Sequence, residues 1–103
     1  MPRRSDIQPP DPGLLILASL SSGPKHGYAT TQDVRAFAGV ALGPGTLYGA
    51  IGRLEERGLI EPVDSDDRRR PYRLTGAGRA MLESQLSVLE RLRATVAGRL
   101  ATA

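Results

Sequence analysis

The chain has 103 residues, 40% of them hydrophobic, with no cysteine and a formal net charge of +3. That length supports one core and is short for two, and without thiols neither a disulfide nor a thiolate metal site can form. No apolar run approaches the ~20 residues of a membrane-spanning helix, so the cytoplasm is the expected address. An isoelectric point near 10.0 suits a polyanionic partner such as nucleic acid.

In chain order, Met1 to Pro12 carries Arg3, Arg4 and several prolines but no apolar segment, and reads as a disordered arm and not a secretory signal. Gly13 to Leu20 is nearly all apolar and stops at Ser21-Ser22-Gly23-Pro24, which predicts a short helix buried on most sides. From His26 to Ala38, the residues Tyr28, Thr31, Val34, Phe37 and Ala38 follow a helical rhythm that Gly39 is placed to end. Val40-Ala41-Leu42 reads as a short extended link with the option of pairing as a strand. Gly43 and Pro44 supply the N-cap and first residue of a third helix running to Arg57 and ending at Gly58. Leu59 to Val63 and Pro71 to Leu74 are strand-like, and the charged residues between them form a hairpin tip. Thr75 then caps a last helix that continues to about Leu100.

The third helix carries the functional argument. Leu47, Ile51 and Leu54 form one core-facing stripe, which places Gly45, Gly49, Gly52 and Glu56 on the opposite side, with Thr46 and Arg53 on one flank and Tyr48 on the other. Each interior glycine costs about 1 kcal/mol relative to alanine, and close approach to another surface accounts for that cost. A DNA major groove, about 12 Å wide, is such a surface. Thr46 and Tyr48 are then candidates to contact phosphates or a thymine methyl, and Arg53 a phosphate or guanine. The bland alternative has Tyr48 packed on the second helix and Arg53 solvated.

At the hairpin tip, Arg68, Arg69 and Arg70 suit a minor groove or flanking phosphates. Against this, Asp64, Asp66 and Asp67 cancel local charge, and pair with the arginines when DNA is absent. In the last helix, Leu82, Leu89 and Val96 recur every heptad with Leu86, Leu92 and Leu100 beside them, a coiled-coil-like seam. The functional reading is a homodimer interface, joined by Leu14 and Leu17, that sets two recognition helices roughly 34 to 36 Å apart. The alternative folds this helix back on its own domain.

His26 has no second histidine or cysteine to share a metal with, and no nucleophile elbow or phosphate-binding loop occurs in the chain. Gly76-Ala77-Gly78 is a helix start and not a dinucleotide fingerprint. No catalytic residue, metal or cofactor is therefore expected. His26, Tyr28 and Pro44, at helix starts, complete the candidate DNA-binding set.

Four segments carry a resemblance: Gly23-Pro24-Lys25-His26-Gly27-Tyr28, Pro44-Gly45-Thr46-Leu47-Tyr48, Arg53-Leu54-Glu55-Glu56-Arg57-Gly58-Leu59-Ile60, and Tyr72-Arg73-Leu74-Thr75-Gly76-Ala77-Gly78-Arg79. Together they resemble the PadR family of bacterial transcriptional regulators over roughly Leu14 to Leu100, in particular its compact branch with one short C-terminal helix. The resemblance implies a mainly α fold with a small β-hairpin: a winged helix-turn-helix over 13–75, followed by a dimerisation helix over 76–103. It further implies a repressor that binds double-stranded DNA at an inverted repeat and leaves it when a small-molecule effector binds. The chain departs from the family pattern at Gly49 and Gly52, where proline and a basic or polar residue are usual, at Gly43 in place of a serine cap, and in the aspartates of the hairpin tip. Some compact relatives hold flat aromatic ligands between tryptophans, and this chain has none. The competing reading is a protein-interaction module on the same scaffold, whose signature is weak, salt-insensitive DNA binding.

Overall fold

The computed structural model describes residues 10–65 and 68–102, so most of the proline-rich arm, together with Asp66 and Asp67, lies outside the described residues. Helix α1 spans Pro12–Leu20, one residue earlier than the sequence pattern predicts. Two features explain the early start: Asp11 Oδ2 accepts from the Leu14 amide at 3.1 Å, and Pro12 brings a φ already suited to a first turn. As expected of its composition, α1 buries most of its circumference, including Leu15, Ile16, Leu17 and Leu20. Ser19 is buried among them because its hydroxyl donates to Asp33 Oδ2 at 2.7 Å.

Helix α2 spans Gly27–Ala38 and ends at Gly39, whose φ of 68° is the left-handed cap that glycine adopts without strain. Its buried face differs from the predicted one. Gly27, Thr30 and Val34 point inward, while Tyr28 is 64% and Phe37 50% exposed. A threonine can occupy the core here because its hydroxyl donates to the His26 carbonyl at 3.0 Å.

Val40 to Leu42 does not pair as a strand. Leu42 anchors the segment in the core and the chain enters α3, Pro44–Glu56, directly. Strands β1, Ile60–Pro62, and β2, Tyr72–Leu74, form an antiparallel hairpin with Glu61 opposite Arg73. Their side chains pair as well, with Arg73 Nε donating to Glu61 Oε1 at 2.7 Å. The hairpin is instead extended by Lys25, which exchanges two backbone hydrogen bonds of 2.9 and 3.0 Å with Tyr72. A residue before α2 thus adds backbone bonds to the core packing of Ile60, Tyr72 and Leu74 that holds the hairpin on the helical body.

Helix α4 spans Gly76–Thr102 and is fastened only at its base. Thr75 Oγ1 accepts from the Gly78 amide at 3.0 Å and donates to the Gly58 carbonyl at 2.7 Å. A Cβ on Gly78 would stand 1.9 Å from the Leu59 carbonyl oxygen, so the helix sits as close to the chain entering β1 as a glycine allows. Past Leu82 nearly every residue is exposed, and the molecule measures 57 × 32 × 22 Å because this helix projects from the domain. The core itself lies between α1, α2, α3 and β1, with Ile16, Val34 and Ile60 almost fully enclosed. Burial of each such side chain contributes about 1.5–3 kcal/mol.

Candidate nucleic-acid interface

Helix α3 buries Leu47, Ala50, Ile51 and Leu54, and its opposite face is open. Gly45, Thr46, Tyr48, Gly49, Gly52 and Arg53 are all exposed, and a Cβ added at Gly45 or Gly52 would touch nothing within 4 Å. Nothing inside the protomer requires glycine at those two positions. At Gly49 the nearest atom is Nη1 of Arg53, 3.4 Å from the Cβ site. The arginine therefore lies back along the helix toward its N-terminus, as long helical side chains do, and spreads its charge over the bare surface.

The N-termini of α2 and α3 make this face a candidate anion site. Neither first turn contains an acidic residue, and Gly43 leaves α3 without a side-chain cap. The first amides of α3 are thus available to an outside acceptor, and the helix dipole favours a negative one. At α2 the cap is His26, whose Nδ1 accepts from the Ala29 amide at 3.3 Å. A neutral imidazole accepting at Nδ1 carries its proton on Nε2, which leaves that N–H as a donor.

Tyr48 unites two readings that the sequence left apart. It is 59% exposed, yet its ring lies over Gly27: a Cβ there would come within 2.7 Å of the Tyr48 hydroxyl oxygen and 3.1 Å of the ring. The tyrosine packs on α2 and still presents an edge outward. Gly27 is accordingly a positioning residue that sequence reasoning passed over; its place next to Tyr28 in the quoted motif was the available signal. Tyr28 is exposed as well, and its hydroxyl accepts from Gln32 Nε2 at 3.0 Å.

Lys25, by contrast, is spent on the fold. Its Nζ donates to the Ser19 carbonyl and the Ser22 hydroxyl, each at 2.6 Å, and lies 3.9 Å from Asp33. At the hairpin tip Arg68, Arg69 and Arg70 are exposed. Arg70 has a φ of 47°, a left-handed conformation that costs an L-residue roughly 1–2 kcal/mol. Among the described residues it is the one non-glycine so placed. The aspartates expected to pair with these arginines include Asp66 and Asp67, which lie outside the described residues.

The seam residues fall into two groups. Leu17 and Leu82 are 2% and 6% exposed, covered by their own domain before any second copy arrives, and Leu14 is half-buried against the core. Leu86, Leu89, Leu92, Val96 and Leu100 are open to solvent. Among the described residues there is no group of three side chains suited to a metal and no helix long and apolar enough to cross a membrane.

Three helices, a hairpin pinned beside them and a bare third helix define a winged helix-turn-helix DNA-binding domain. The model of the transcriptional regulator PadR-like family matches residues 16–84, and the chain belongs to that family. Transcriptional regulator Rv3488 of Mycobacterium tuberculosis is 39% identical over 88 residues, covering 82% of this chain and 81% of that protein. An uncharacterised 37.1 kDa protein in transposon TN4556 of Streptomyces fradiae is 44% identical over 82 residues, or 80% of this chain. The chain spans only 24% of that longer protein. Among solved structures, a PadR family transcription regulator from Clostridium difficile is similar with a TM-score of 0.78 at 26% identity, covering 86% of this chain and 97% of the other. A transcriptional regulator from Clostridium thermocellum gives 0.73 at 26% identity, with 82% and 85% covered. This protein is accordingly a winged-helix DNA-binding transcriptional regulator.

Proposed function

We propose that the chain acts in the cytoplasm as a homodimeric repressor that lays two copies of α3 into successive major grooves of an inverted-repeat operator. The observation that carries this reading is the face of α3, where glycines with no internal role surround Arg53 and two uncapped or donor-bearing helix starts. A face so bare lets the helix backbone come close to the groove floor. It offers few side chains for base reading, so phosphate contacts and duplex shape supply much of the affinity. The hairpin arginines engage the flanking backbone or minor groove. The reading includes release from the operator by a small-molecule effector of unassigned chemistry.

The test is a titration of duplex DNA from upstream of the chain's own gene, at several salt concentrations. Preference over random duplex, with the logarithm of affinity falling steeply and linearly against the logarithm of salt, is the expected result. Equal and salt-insensitive binding to both duplexes would favour the protein-interaction module instead.

A further inference from the structure

Leu86, Leu89, Val96 and Leu100 continue the same face of α4 that Gly78 and Leu82 bury against the domain, and all four stand exposed. Arg93 lies on that line too. It follows Leu82 by three turns and falls within about 20° of it around the helix. A cation thus sits in the middle of an otherwise apolar seam. Among the described residues neither Arg93 nor Glu90, one turn earlier, has an ion-pair partner.

That charge discriminates between the ways a second copy could cover the seam. Parallel pairing in register sets Arg93 against Arg93. Antiparallel pairing centred on the exposed half of the helix does the same. Both place like charges together in a desolvated contact, which is costly. Shifting the antiparallel pair so that its two-fold axis passes at Arg91 removes the conflict. Leu86 then faces Val96 of the second copy, and Leu89 faces the methylene stem of its Arg93, the part of an arginine that packs on apolar surface. A two-fold between antiparallel helices sets like flank against like flank, so the guanidinium head meets Glu90 across the interface, once on each side. In the same register Leu100 of the second copy comes level with Leu82, which its own domain already covers. Beside Leu82 lies an open groove of about 500 Å³ between the end of α1, β2 and α4, with Leu20, Leu74 and Leu86 in its walls. Arg79 and Glu83 line it from the flank of α4 that also carries Glu90.

We infer that a second copy of this chain seats its α4 antiparallel on the first in this single register, locked by reciprocal Arg93–Glu90 pairs, with each Leu100 end entering the groove beside the other copy's Leu82. The inference rests on the homodimer reading and adds to it the register and the groove's occupant.

Because the chain has no cysteine, the register can be read by cross-linking. Leu86→Cys chains mixed with Val96→Cys chains should give the mixed disulfide on mild oxidation, and neither variant alone should link to itself. Self-linking of both Leu86→Cys and Val96→Cys identifies a parallel pair, and self-linking of only one of these, or of Leu89→Cys alone, a different antiparallel register; any of these overturns the inference. Separately, Arg93→Glu and Glu90→Arg should each weaken self-association at least tenfold in sedimentation equilibrium with helicity unchanged, and an equimolar mixture of the two should recover it. That recovery does not follow if the two residues pair only within one helix, and its failure also overturns the inference. A wild-type chain that sediments as a monomer at tens of micromolar would instead sink the homodimer reading itself, which separates the two failures.

Discussion

The base of α4 and the outer face of α3 both depend on glycines, yet the space around those glycines is opposite. Gly78 has a backbone oxygen where its Cβ would be, and Gly27 has a tyrosine ring. Gly45 and Gly52 have nothing. In the first region the missing side chain lets parts of the domain meet, so the fold alone explains it. In the second the fold gains nothing, and the proposed function accounts for the loss of about 1 kcal/mol at each such residue by a surface outside the protomer. On the proposed function, small residues in one sequence serve stability in one place and recognition in another, and substitution tells them apart.

The largest effect is expected at Gly78→Ala. Its methyl collides with main chain that cannot step aside, so urea unfolding should show a loss of about 3 kcal/mol or more. Gly27→Ala should cost less, about 1–3 kcal/mol, because the Tyr48 ring can swing away; DNA affinity should fall with it, since that tyrosine is displaced. Gly49→Leu sharpens the contrast. It should leave the melting temperature unchanged or raised, while fluorescence anisotropy with operator duplex shows affinity lowered tenfold or more, about 1.4 kcal/mol. Gly52→Ala should stabilise the fold by about 1 kcal/mol; a loss of stability there would mean that α3 packs on its own protomer after all. Arg70→Gly is the smallest change: relief of the left-handed strain should raise stability by no more than about 1 kcal/mol. Its salt dependence of DNA binding should become shallower by about one phosphate contact.

Much of this architecture was legible because glycine and proline punctuate it. Gly39, Gly43-Pro44 and Gly58 delimit α2 and α3 to within a residue or two, and the Leu47, Ile51, Leu54 stripe fixes which face of α3 turns outward. What was not legible depends on contacts between distant segments. The core face of α2 uses Gly27 and Thr30, which no apolar pattern picks out; one is buried under Tyr48 and the other satisfied by the His26 carbonyl. Nothing in the pattern around Lys25 announces that its backbone pairs with Tyr72 and that its side chain holds the end of α1. Leu82 shares the periodicity of the seam, and only packing separates it from Leu86 and Leu89, which remain uncovered. The φ of Arg70 is likewise a property of the closed hairpin that no residue type announces.

The decisive measurement is the backbone amide spectrum of the ¹⁵N-labelled protein as operator duplex is added at physiological salt. Amides of Gly45, Thr46, Gly49 and Gly52, whose glycine signals fall in a sparse region, should shift or broaden to completion at one duplex per two chains, together with those flanking Arg68 and Arg70. If these amides stay fixed while those of α4 move, or if a random duplex perturbs them equally, α3 is not the DNA-reading surface.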